Sequence, residues 1–118
     1  MVNVEELREI CLLQGTDVEE KMPFQAFKTG QSVLCFYVCG HIFCYFDIDN
    51  FDVVTVKCQP ELIDDLKEQH SALTNPYQHR AQWIGIVPAL ASHELATQMV
   101  TNSYKIVKSK YKPKHKTN

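Results

Sequence analysis

Apolar positions recur every three or four residues near both ends of the chain, and they crowd into β-branched and aromatic runs between. That pattern predicts helices bracketing a sheet. Val4, Leu7, Ile10 and Cys11 share one face of a helix expected over residues 4–14. Asn3 is placed to cap it, Glu6 to close a capping box, and Gly15 to take a left-handed stop. Glu19 to Phe24 reads as a short edge strand ended at Pro23, and Gly30 breaks the chain. Three β-rich runs follow at 32–39, 42–48 and 51–58. Gly40-His41 and Asp49-Asn50 lie between them as tight turns. Such short links predict an antiparallel meander.

Pro60 suits the first turn of a second helix, whose apolar side is Leu62, Ile63 and Leu66. One or two strands are expected between Leu73 and Pro88, around Trp83, Ile84 and Ile86. Ser92 then caps a third helix running to about Lys110. Its buried stripe is Leu95, Met99, Val100, Tyr104, Ile106 and Val107. Alternating βαβ units are missing, so a parallel sheet is disfavoured. The expected class is α+β: two layers, with the meander packed against N-terminal, middle and C-terminal helices. A single domain over 1–111 is expected, followed by a disordered, lysine-rich tail at 112–118.

Composition narrows the picture further. A chain of 118 residues with 45% apolar residues can bury one core unaided. It has no apolar run of about 18 residues, and its acidic start is unlike a secretory signal. No membrane association is expected. Five cysteines without a CxxC pair point to free thiols in a reducing cytoplasm rather than a disulfide framework. Charge is asymmetric: fourteen acids against six basic residues leave −8 before residue 105, and six lysines from Lys105 onward give +6. Such a basic end can meet an anionic polymer, or simply complement a helix C-terminus and keep a tail solvated.

Several ordered motifs carry a resemblance. Val56-Lys57-Cys58-Gln59-Pro60-Glu61-Leu62 resembles the "LKC-x-PE" signature of the MmcQ/YjbR family. Pro76, Tyr77, His79 and Trp83 resemble its stretch ending in "HW", and Ser103 to Val107 its "SY-x-LV". Glu20 with Pro23-Phe24, and Gly40 to Phe43, resemble "E-x-x-PF" and "GKxFA". Departures are Gln82 for a usual histidine, His41 for a common lysine, and Gln59 for a frequent aspartate. The resemblance implies a CyaY-like fold. It also implies the DNA-binding label that family members commonly carry.

Candidate contacts to nucleic acid are Lys57, Tyr77, His79, Arg80 and Trp83, with Lys105, Lys108 and Lys110 from the last helix. The cations could neutralise phosphates and the aromatics could stack on bases. The alternative makes Trp83 a core anchor and the cations ordinary surface charges. Cys35, Cys39, His41 and Cys44 lack zinc-ligand spacing: Cys35 and Cys39 share a strand face, but Cys44 belongs to the next strand and no second CxxC-type pair exists. An iron-holding acidic row from Glu5, Glu6, Glu9, Asp17, Glu19 and Glu20 competes with a plain solvated surface. Ser103 and Tyr104 read as structural. No metal, cofactor or catalytic set is expected, and no nucleotide-binding glycine loop occurs. The expected function is DNA binding without enzymatic activity. The alternative is a protein-interaction module whose lysine end only solubilises. Oligomeric state stays open.

Overall fold

A computed structural model describes residues 1–76, 78 and 80–112. Among these residues, three helices, α1 (Val4–Leu12), α2 (Pro60–Gln69) and α3 (His93–Tyr111), accompany six strands. The strands are β1 (Glu19–Lys21), β2 (Val33–Val38), β3 (His41–Asp47), β4 (Val54–Lys57), β5 (Leu73–Thr74) and β6 (Trp83–Ile86). They form one antiparallel sheet in the order β1-β2-β3-β4-β6-β5. The expected meander therefore holds through β4. Beyond it β6 is inserted next to β4, and β5 is displaced to the edge.

Register explains the two faces. Phe36, Cys44, Val56 and Ile84 lie in one cross-strand row, and all four are buried. That row faces α3, which crosses β2, β3 and β4 and buries Ala96, Met99, Val100, Ser103, Tyr104 and Val107. α1 packs on α3 with Leu7, Ile10 and Cys11. α2 is peripheral: Ile63 and Leu66 are half-buried against the core, while Leu62 is exposed. The alternate row runs Lys21, Cys35, Tyr45, Thr55, Gly85 and Thr74 on the other face. Gly85 is bare for a reason: an added Cβ would lie 2.5 Å from the Asn75 carbonyl oxygen.

Local differences from the sequence expectation have physical causes. The β2–β3 turn is Cys39-Gly40, with both residues at positive φ, and His41 already begins β3. A two-residue hairpin matched to strand twist needs left-handed backbone at both central positions, so Cys39 carries strain that Gly40 does not. α1 stops at Leu12 with a right-handed cap at Leu13, and Gly15 is not left-handed. Its lack of a side chain serves packing, since a Cβ would meet the Tyr104 hydroxyl at 2.5 Å. The third β-rich run pairs only from Val54, while Phe51 packs edge-on against Phe46. The tail from 113 lies outside the described residues, and Lys112 forms the cap of α3.

Candidate nucleic-acid interface

The β2–β3 ladder slips between Phe36 and Tyr37, leaving Phe43 without a partner on β2. On the other side, Cys44 pairs with Val56, so Phe43 and Lys57 would come next in line. No direct pair forms there. Instead the buried Ser103 hydroxyl accepts from the Lys57 backbone N–H at 2.8 Å and donates to the Phe43 carbonyl. A serine from α3 is thus wedged into the β3–β4 ladder. It satisfies two backbone groups that the opened ladder would orphan. At the adjacent residue, Asn102 and Gln59 exchange two amide hydrogen bonds, at 2.9 and 3.1 Å, which ties the start of α2 to α3.

Beyond the wedge, β4 stays paired to β6 with Lys57 opposite Trp83. Since Ile84 is buried against the helices, Trp83 points to the opposite face. It is half-buried, edge-on to Tyr45 at 6.0 Å, and lies outside the hydrophobic core. The Lys57 ammonium lies 5.5 Å from the Trp83 ring centre and 5.9 Å from that of Tyr111, within cation–π range. His41 stacks on Tyr111 at 3.5 Å, and the Lys110 ammonium lies 5.3 Å from the same ring. A cleft of about 260 Å³ opens beside this group. It is lined by Lys57, Cys58, Gln59, Pro60, Glu61, Gln82, Ile106 and Lys110.

Of the residues singled out in the sequence, Lys57, Trp83 and Lys110 come together. Arg80 is exposed in the turn just before β6, its carbonyl accepting from the Trp83 N–H, at the same end of the sheet. Lys108 is elsewhere. It bonds Asp17 at 2.9 Å and the Tyr104 hydroxyl at 3.2 Å. Helical geometry puts it about 160° around α3 from Lys110. Lys105 is exposed nearer the Lys108 side. The basic residues of α3 therefore split between two flanks and form no single stripe. Tyr77 and His79 lie outside the described residues. Tyr111 and Tyr45 escaped the sequence reading, and His41 was noted there only as a departure from the family pattern and as a weighed metal ligand. Tyr111 carried a faint signal, following Tyr104 by two helical turns along the buried stripe.

Several charged groups away from this cleft are engaged with one another. Lys108, then the Tyr104 hydroxyl, hold the Asp17 carboxyl below its ordinary range. Asp17 in turn raises Lys108, and burial raises the Tyr104 phenol. Of the acidic residues considered for iron, Glu6 closes the Asn3 cap and Glu20 pairs with Arg8. Among the described residues no group of three or more His, Cys, Asp or Glu converges as metal ligands would. Cys35 and Cys44 lie on opposite faces, and burial pushes the Cys35 thiol up to about 11. Among the described residues no helix is long and apolar enough to cross a membrane.

An α+β domain with one six-stranded antiparallel sheet and a serine-wedged end defines the class. A family model described as YjbR matches residues 13–106, and the chain belongs to that family. Its fold is shared by the crystal structure of Deinococcus radiodurans protein DR2400, which carries the domain DUF419. The two are 22% identical with a TM-score of 0.81, over 97% of this chain and 84% of DR2400. A structural-genomics target from Pseudomonas syringae is 16% identical with a TM-score of 0.68, over 90% of this chain and 99% of that one. The search of curated proteins gives no match. The motifs behind the family resemblance converge physically. The Lys57 N–H from one meets the Ser103 hydroxyl from another, which meets the Phe43 carbonyl from a third.

Proposed function

We propose that this protein binds nucleic acid, without catalysing a reaction, at the end of the sheet where Lys57, Trp83 and Lys110 meet. The observation that carries this reading is the Lys57 ammonium lying within 6 Å of both Trp83 and Tyr111, beside a cleft shared with Lys110. Cations interleaved with aromatic rings are the chemistry of phosphate neutralisation combined with base stacking. The free thiols fit a cytoplasmic setting. The acidic body argues for a short contact, because phosphate would be repelled away from this end.

With Lys57, Lys110 and Arg80 as the phosphate partners, about three phosphates are neutralised. The expected slope of log affinity on log salt is then roughly −2 for a single strand or roughly −3 for a duplex, so a fourfold rise in salt should weaken binding about twentyfold or about fortyfold. Fluorescence anisotropy of labelled DNA at low and moderate salt measures this. Lys57→Ala and Lys110→Ala should each lower the slope by about 0.7. Replacing Lys112, Lys114 and Lys116 by Gln should leave most of the binding. Absence of binding at low salt would sink the reading, and loss of all binding with the three outer lysines would reduce it to nonspecific attraction.

A protein partner is the second reading. Phe24 and Phe27 are 40% and 60% exposed, with ring centres 6.4 Å apart, in the segment after edge strand β1. An exposed aromatic pair is a feature of protein interfaces. Cross-linking that depends on both phenylalanines would favour this reading.

A further inference from the structure

We infer that the ligand of this site is a single-stranded nucleic acid, one base of which stacks at Trp83 while its phosphate is held in the Lys57–Lys110 cleft. The inference rests on the nucleic-acid reading above and goes beyond it, since that reading is silent on strandedness.

Three features point away from a duplex. A duplex presents one charge per about 1.7 Å of axis, and proteins that grip it lay several cations along a continuous surface. Here the α3 lysines fall on two flanks, and Lys108 is engaged by Asp17. Duplex bases are also stacked inward, out of reach of a ring held on a sheet face. No described helix presents a free row of basic side chains to a groove: on the back of α3, Lys105 stands beside Lys108, which Asp17 engages.

Two features fit a single strand. The cleft, at about 260 Å³, is smaller than the roughly 300 Å³ lower bound for pockets that enclose a whole small ligand. It has room for a phosphate and part of a sugar, so the base must lie outside it. Immediately outside lies Trp83, half-buried on the face opposite the Ile84 row. Lys57 spans both, since it lines the cleft and its ammonium lies against the Trp83 ring. Tyr111 is the weaker platform, because His41 already covers it at stacking distance. Glu61 is the one acid in the lining; it is exposed at the first turn of α2, where a carboxylate is favoured without a ligand. Its charge opposes phosphate, so Glu61→Gln should tighten binding.

Trp83 is the chain's sole tryptophan, so its fluorescence reports this site alone. The full chain is titrated at low salt with oligo-dT, oligo-rU and a blunt duplex, each of roughly ten nucleotides or base pairs. Both single strands should quench Trp83 and bind more tightly than the duplex; the arm that binds better identifies the sugar. Trp83→Leu should weaken single-strand binding about tenfold, the fold-change expected for losing one stacked base. A light-scattering and circular-dichroism check establishes that the variant is folded. Trp83→Phe, which keeps a ring, should recover part of the loss. Tighter binding to duplex, or single-strand binding that leaves Trp83 fluorescence unchanged, would overturn the inference while leaving the nucleic-acid reading intact. Failure of all three probes to bind would overturn both.

Discussion

Ser103→Ala removes one oxygen and tests how the site is built. The hydroxyl is fully buried and serves two backbone groups, the Lys57 N–H and the Phe43 carbonyl. The bulge at Phe43 and the end of the β3–β4 ladder leave neither group another partner in the sheet. Leaving a buried polar group unsatisfied costs about 1–3 kcal/mol. Two such groups give about 2–6 kcal/mol, less about 0.5 for the better helix propensity of alanine. An expected loss of about 3 kcal/mol is a large part of the 5–15 kcal/mol typical of a domain. It should lower the melting temperature by about 12 °C at this chain length. Urea unfolding at constant m-value reads the loss directly, with Thr101→Ala on the same helix as the propensity control. A loss under about 1 kcal/mol would refute the wedge, because water or ladder closure would then be satisfying both groups.

Gly15→Ala places a Cβ 2.5 Å from the Tyr104 hydroxyl and 2.6 Å from Asp17, so it should break their hydrogen bond. We expect a cost of about 1–3 kcal/mol in thermal unfolding, and near-neutrality would contradict that packing. Thr55 Oγ1 is buried without a partner among the described residues. Thr55→Val should therefore be neutral or stabilising by about 1 kcal/mol, whereas a clear loss would reveal a hidden partner. The Asp17 carboxyl is held below its ordinary 3.8 by Lys108 and Tyr104. A depressed folded-state value contributes stability above the ordinary value, and that contribution is lost as pH falls through the folded one. The stability gap between wild type and Asp17→Asn should accordingly shrink between about pH 5 and pH 2, and a constant gap would count against the Asp17–Lys108 pair.

Much of the fold was legible because its elements carry local signals. Asn3 and Glu6 form the expected capping box, Ser92 caps α3, and of the expected α3 stripe Met99, Val100, Tyr104 and Val107 are buried while Leu95 and Ile106 are half-buried. Sheet order beyond β4 was not legible. Nothing local distinguishes a β5 next to β4 from the observed insertion of β6, since that choice depends on the Val54–Ile86 and Lys57–Trp83 register. Gly15 was misread because its role lies in a contact 89 residues away, not in its own backbone angle. The site was half legible. Lys57, Trp83 and Lys110 were nameable from residue type and motif, but their convergence depends on a wedge that breaks a ladder. The sequence count of six C-terminal lysines overstated the footprint, because helical geometry sends Lys108 to Asp17 and Lys110 to the cleft.

Amide chemical-shift mapping of the labelled full chain, titrated with a short single-stranded oligonucleotide at low salt, tests the binding claim most directly. The expected shifts centre on Lys57, Gln82, the Trp83 indole N–H, Ile106 and Lys110, with His41 and Tyr111 at the margin. Shifts centred on Lys105 and Lys108, or on the segment of Phe24 and Phe27 after β1, or none at all, would contradict it.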